Sequence, residues 1–361
     1  MPASVNSAIA GLTPYQPGKP LEELARELGI DDAVKLASNE NPRGPGPGVR
    51  RALEGGFAEL SRYPDGSGHR LKNALSAHLE VAPERITLGN GSNDVLELAA
   101  RVALSPGCRG ICDEHAFVVY PLAITAAGGV LTRIPARQHG HDLDAFADAI
   151  DATTRVVFIA NPNNPTGTWV DEPALVRFLD AVPPSVWVVL DEAYAEYVTK
   201  PGYPDGVRLT ERYDNLMVTR TFSKVHGLAS LRVGYGVSST EFADLLNRLR
   251  QPFNVNSLAL AAAEAALADA DYVIESRRLN EEGMAEIEAG LAALGLGWIP
   301  SVGNFVTVDV GREAGGIYDA LLHRGVIVRP VANYGLPNHL RVTVGLPDEN
   351  RRFLDALAEV M

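Results

Sequence analysis

Between residues 86 and 237, short β-branched and apolar runs alternate with stretches whose apolar positions recur every three or four residues. That rhythm belongs to strands separated by helices that cover them. It predicts strands at 85–88, 110–112, 130–134, 156–160, 186–190, 216–219 and 233–237. Runs such as Val156-Val157-Phe158-Ile159-Ala160 are apolar at successive positions, so both faces need cover, and a mainly parallel sheet meets that need. The expectation is an α/β large domain: a mainly parallel seven-stranded sheet wrapped by helices.

After residue 271 the rhythm changes. A long amphipathic helix at 272–294 leads to a strand at 305–309, a helix near 317–323, strands at 326–329 and 340–344, and a closing helix at 348–360. This order predicts a small α+β domain. The alanine-rich stretch 257–270 reads as a buried helix. The Pro/Gly-rich segment 41–48 interrupts regular structure and sets off an N-terminal arm. The expected divisions are 1–45 for an arm packing with the small domain, 46–270 for the large domain and 271–361 for the small one.

With 361 residues the chain exceeds what one hydrophobic core serves, which agrees with two domains. A hydrophobic fraction of 46% and a charged fraction of 21% exclude a disordered or fibrous chain. The net charge of −13 repels nucleic acid and anionic membrane, so neither is an expected partner, and anionic ligands must be held by local arginines. Cys108 and Cys112 support neither a disulfide framework nor a metal site. Residues 1–20 lack a signal-peptide pattern and no long apolar span follows, so a cytoplasmic protein is expected.

Four runs carry candidate chemistry. In Thr221-Phe222-Ser223-Lys224 a lysine follows a strand, small hydroxyls precede it, and Arg232 lies eight positions on. This suits an amine nucleophile beside an anion anchor, although a single lysine there is otherwise a solvated loop residue. Asp191 in Asp191-Glu192-Ala193-Tyr194 sits at a strand's carboxyl end, where ligands of open α/β sheets bind. It could pair with a protonated ring nitrogen or cap a helix. Asn161-Pro162-Asn163-Asn164-Pro165-Thr166-Gly167 is a turn that either presents asparagines in a fixed direction or is a plain connection. In Leu88-Gly89-Asn90-Gly91-Ser92-Asn93-Asp94 a strand enters a glycine turn and then a helix, an arrangement able to hold phosphate. It lacks the spacing of a dinucleotide-binding loop.

In this order and spacing the four runs resemble the fold-type I pyridoxal 5'-phosphate (PLP) enzymes, and among them the class I/II aminotransferases, over nearly the whole chain. The resemblance implies that Lys224 carries the cofactor as a Schiff base and that Asp191 contacts the pyridinium nitrogen. It implies that Tyr194 and Asn164 bind the ring hydroxyl and that Tyr120 stacks on the ring. The backbone at Ser92 and Asn93, the hydroxyls of Thr221 and Ser223, and Arg232 would cradle the phosphate. Arg341 would grip the substrate carboxylate. Tyr63, in Arg62-Tyr63-Pro64-Asp65-Gly66, matches a tyrosine that reaches the neighbouring subunit's cofactor, which implies a homodimer with shared sites.

Further runs resemble the branch of that family that transaminates L-histidinol phosphate: Leu12-Thr13-Pro14-Tyr15 with Gly18-Lys19-Pro20, Leu36-Ala37-Ser38-Asn39-Glu40-Asn41-Pro42, Pro252-Phe253-Asn254-Val255-Asn256 and Val326-Ile327-Val328-Arg329-Pro330. The implied substrate contacts are Tyr15, Asn39, Asn164, Asn256, Arg329 and Arg341, with 2-oxoglutarate and glutamate as the second substrate pair. Val225-His226 and Asn333 depart from the common pattern, and His226 is read as a loop residue without a catalytic role. The alternatives are an aromatic or phenylalanine aminotransferase and an amino-acid phosphate decarboxylase. A PLP-binding regulator is disfavoured, because the segment before residue 41 has no basic helix-turn-helix pattern.

Overall fold

The computed structural model describes residues 7–14 and 18–361; Tyr15 lies outside the described residues. Seven strands form the main sheet: β2 (Ile86–Gly89), β3 (Arg109–Asp113), β4 (Val130–Ile134), β5 (Thr154–Ala160), β6 (Trp187–Asp191), β7 (Leu216–Thr221) and β8 (Gly234–Val237), after a short β1 (Val34–Lys35). Their order is β2-β8-β7-β6-β5-β3-β4. Only β8 is reversed, antiparallel to both neighbours. The mainly parallel sheet is therefore as expected, and its strand positions agree within a few residues.

Core residues lie on both faces, as the continuous apolar runs require. Val157, Ile159, Val188 and Leu190 pack into one cluster, while Val156, Phe158 and Val189 pack into another on the opposite face. The alanine-rich segment forms the helix Ser257–Leu267, whose Ala259, Ala262, Ala263 and Ala266 are buried in the first cluster. Small side chains there allow close packing on the helix Pro47–Gly56, which starts inside the segment expected to be irregular because Pro47 suits a first helical turn.

The C-terminal part holds a second sheet of β9 (Gly297–Ile299), β10 (Phe305–Asp309), β12 (Arg329–Pro330) and β13 (His339–Thr343), in the order β12-β13-β10-β9. The long helix is Ala270–Ala293 and the closing helix Pro347–Val360. The single strand expected at 326–329 is divided. Its first part, β11 (Val326–Ile327), pairs with β1 in parallel, and the chain then shifts so that Arg329 pairs with Arg341 of β13. The two- and three-residue strands β1 and β9 gave too short an apolar pattern to be foreseen.

The N-terminal arm touches both parts. Leu24 and Ala37 pack with Leu322 and Ile327, while Ile9, Leu12 and Pro14 lie along Leu122 and Ala126 of the helix Val119–Ala126. No helix among the described residues is long and apolar enough to cross a membrane.

Candidate active site

The sheet topology explains why distant runs meet. β2, β5, β6 and β7 are mutually parallel, so the loops following Gly89, Ala160, Asp191 and Thr221 leave the same edge of the sheet. The reversed β8 begins at that edge, so Arg232, two residues ahead of it, arrives there as well. Together these loops line a cavity of about 240 Å³ that includes Ser92, Asn93, Tyr120, Asn164, Asp191 and Lys224.

At one end lies an anion cradle. Gly91 (φ 79°) turns the chain into the helix Ser92–Ala103, whose first N–H groups have no intrahelical acceptors. A Cβ on Gly91 would stand 2.4 Å from Arg232 Nη2, and one on Gly234 would stand 2.4 Å from the Ser92 nitrogen. Only glycine permits both approaches. Arg232 Nη1 donates to Ala229 O at 3.0 Å and Ser223 Oγ at 3.3 Å, and Thr221 Oγ1 donates to Ser223 Oγ at 3.0 Å. Guanidinium, hydroxyls and helix N–H groups thus converge, and this donor set fits a phosphate dianion.

Deeper in the cavity, Asp191 Oδ2 accepts from Tyr120 Oη at 2.7 Å and Oδ1 from Thr219 Oγ1 at 2.9 Å. Burial raises the pKa of its carboxyl, and the two hydroxyls oppose that shift. Asp191 is no helix cap, because the next helical turn, Ala195–Tyr197, is capped at Tyr194. Tyr120 is fully buried and stacks on Phe158, with centroids 5.2 Å apart.

Lys224 Nζ donates to Ser38 O at 3.1 Å and lies 5.5 Å from the Tyr194 ring centroid. Burial, reinforced by the Arg341 guanidinium, lowers its amine pKa to about 8. Burial lifts the Tyr194 phenol to about 12, so Tyr194 keeps its proton at neutral pH.

The three asparagines of the 161–167 run divide their work. Asn161 pairs with the Val170 backbone and Asn163 with Thr166, and both brace the loop. Asn164 alone lines the cavity, where its Oδ1 accepts from Arg341 Nη1 at 2.5 Å. Arg341 also donates to Ala37 O at 2.6 Å. Its direct cross-strand partner is Arg329, so two guanidinium groups share one face of the sheet, both buried. Both side chains project from that face, where one anion could engage the two forks together.

Several expected residues stand outside the cavity lining, Arg329 and Arg341 among them. Asn39 is buried with its amide between Tyr194 and Thr343, which assigns it a contact with protein groups where a substrate contact was expected. Asn256 caps the helix Ser257–Leu267 and donates to Leu231 O, so its amide is committed to the backbone and it is absent from the cavity lining. Tyr63, expected to reach the neighbouring subunit's cofactor, is 83% exposed and stacks on Phe253. His226 is buried against Phe222 outside the cavity lining. Sequence reasoning missed Ser38, Glu40, Phe117 and Ala193 in the lining and Thr219 behind Asp191. Ser38 and Glu40 belong to a run already noted, whereas a threonine inside a strand carries no signal.

The family model for aminotransferase class I and II matches residues 31–357. The histidinol-phosphate aminotransferase 2 of Pseudomonas fluorescens is 60% identical over 361 residues, covering 99% of this chain and 98% of the relative. That of Pseudomonas aeruginosa is 59% identical over the same shares. Among solved structures, histidinol-phosphate aminotransferase from Sinorhizobium meliloti in complex with pyridoxal-5'-phosphate superposes with a TM-score of 0.92 at 30% identity, covering 99% of this chain and 97% of that one.

Proposed function

The chain belongs to the class I and II aminotransferases, and from that premise we propose that it uses PLP to transfer the amino group of L-histidinol phosphate to 2-oxoglutarate, giving imidazole-acetol phosphate and L-glutamate. This is a step of histidine biosynthesis. The observation that carries the substrate reading is the cross-strand pair Arg329–Arg341 beside Asn164. A phosphate dianion standing where an amino acid has its carboxylate can engage both planar forks, and the two carboxylates of glutamate can take one each.

Ser92, Asn93, Thr221, Ser223 and Arg232 would hold the cofactor phosphate, Asp191 the ring nitrogen, and Tyr120 a ring face. Asn164 spends its carbonyl on Arg341, which leaves its NH₂ to donate to the ring oxygen together with Tyr194. When bound, PLP supplies an electron sink for charge that develops at the substrate α carbon. Lys224 does the proton work. With its amine pKa lowered to about 8, a useful fraction is neutral at physiological pH, so Nζ would hold the cofactor by condensing with its aldehyde with loss of water and, once freed by the substrate amine, would carry a proton from the substrate α carbon to the cofactor carbon. Asp191, buried and acceptor-only when ionised, keeps the ring nitrogen protonated.

The test is amino transfer to 2-oxoglutarate from L-histidinol phosphate and from L-phenylalanine, in wild type and Arg329→Ala. Loss of a charge-assisted contact worth about 1.5–3 kcal/mol lowers kcat/KM for the phosphate substrate by roughly 10- to 150-fold. Comparable kcat/KM for phenylalanine in wild type would move the protein to the broad aromatic class. The active unit is a homodimer, a reading supported by the exposed apolar side chains Phe57, Leu60, Tyr63 and Phe253. Sedimentation of the active form as a monomer would overturn it. The free thiols Cys108 and Cys112 support a cytoplasmic setting.

A further inference from the structure

We infer that Thr343 and Asn39 form a positioning relay that fixes the direction in which the Tyr194 hydroxyl donates. The inference rests on the cofactor reading above and concerns two residues outside the cavity lining.

The relay follows from donor and acceptor inventory. Asn39 N, a donor only, gives its hydrogen to Thr343 Oγ1 at 2.9 Å. With that lone pair used, Thr343 turns its own proton onto Asn39 Oδ1 at 3.1 Å. The amide orientation is thereby set, and Nδ2 faces Tyr194, donating to its oxygen at 2.9 Å. Tyr194 accepts there, so its proton points away from Asn39 toward other acceptors. Every member is buried: Asn39 is 1%, Thr343 4% and Tyr194 4% exposed. Water therefore does not scramble the directions.

Two features hold the relay in place. Asn39 adopts φ 55°, a left-handed conformation that asparagine tolerates, and its carbonyl accepts from Asn304 Nδ2 at 3.0 Å. Thr343 is two residues beyond Arg341 on β13, so both side chains lie on one face of the strand. The strand that carries the anion-gripping arginine also sets the Tyr194 hydroxyl, 304 residues away in sequence from the Asn39 end of the relay.

A hydrogen bond donated by Tyr194 to the ring oxygen stabilises its anionic form and weakens the hold on the proton of the adjacent Lys224–cofactor linkage. Disordering that donor raises the pH at which the linkage loses its proton. The experiment is a spectroscopic pH titration of the visible band in PLP-loaded wild type, Thr343→Val, Thr343→Ser, Asn39→Gly and Tyr194→Phe, with kcat and KM measured alongside. Thr343→Val should move the midpoint up by about half to one unit, the equivalent of one hydrogen bond. It should lower kcat with KM little changed, and Thr343→Ser should restore both.

Should Thr343→Val not fold, Asn39→Gly removes the amide at a backbone angle glycine accepts and should give the same rise. In a Tyr194→Phe background neither substitution should move the midpoint further. An unshifted midpoint in folded Thr343→Val or Asn39→Gly overturns the relay, as does an equal shift in the Tyr194→Phe background. Failure of wild type to develop a visible band with PLP would instead overturn the cofactor reading.

Discussion

Replacing Lys224 with methionine should stabilise the cofactor-free protein near neutral pH and leave it unchanged near pH 10. Methionine keeps an unbranched stem and removes the charge. Burial, aided by Arg341, lowers the Lys224 amine from 10.5 to about 8. That shift, about 2.5 units, corresponds to about 3 kcal/mol of penalty on the folded state. Losing the bond from Nζ to Ser38 O takes back about 1 kcal/mol, which leaves about 2 kcal/mol of net gain.

The pH window follows from linkage. Between pH 8 and 10.5 the unfolded chain holds a proton on this lysine that the folded chain has released, so wild-type stability rises with pH across that range. The penalty is complete below pH 8 and falls under about 1 kcal/mol by pH 10, where the lost hydrogen bond offsets it. Urea denaturation of wild type and Lys224→Met, freed of cofactor and compared at equal protein concentration at pH 7 and pH 10, measures both limits. Equal stability at pH 7, or a gain that persists undiminished at pH 10, would refute the reasoning.

Arg220→Ala should cost about 3–5 kcal/mol in the same assay, because the wholly buried Glu192 accepts from both Nε and Nη2 of Arg220 and would keep only the Gly206 N–H, losing its counter-charge; replacing the pair together by glutamine and methionine should recover much of the loss. Gly91→Ala should weaken PLP binding at least about tenfold in a titration followed by absorbance, since its Cβ collides with Arg232 Nη2 at a left-handed backbone angle. A thiol reagent should label Cys108 in the native protein and Cys112 only in urea, because burial pushes Cys112 up to about 12 whereas a bond from Ser105 lowers Cys108; rapid labelling of two thiols without urea would contradict the packing.

Much of the seven-stranded sheet was legible because its signals are local. Hydrophobic rhythm located the strands, and strand-to-loop transitions at Gly89, Ala160, Asp191 and Thr221 marked where chemistry could sit. Resemblance then assigned roles that composition does not, such as the choice of Lys224 among the lysines. The reversal of β8, which brings Arg232 to the common edge, has no local signature. Nor does the break at Val328 that turns Arg329 onto the sheet face of Arg341.

Side-chain commitments were the least legible. Asn161, Asn163 and Asn164 are chemically identical, and only the arrival of Arg341 from the second sheet distinguishes the last. Asn39 and Asn256 looked equivalent as substrate contacts until packing gave one to Tyr194 and Thr343 and the other to a helix cap. The sequence by itself determined the elements and the edge of the sheet where they open, since period and turn chemistry act over a few residues. Tertiary structure alone decided which donors meet which acceptors, because those pairings join residues up to 320 positions apart and depend on directions set by the packed sheets.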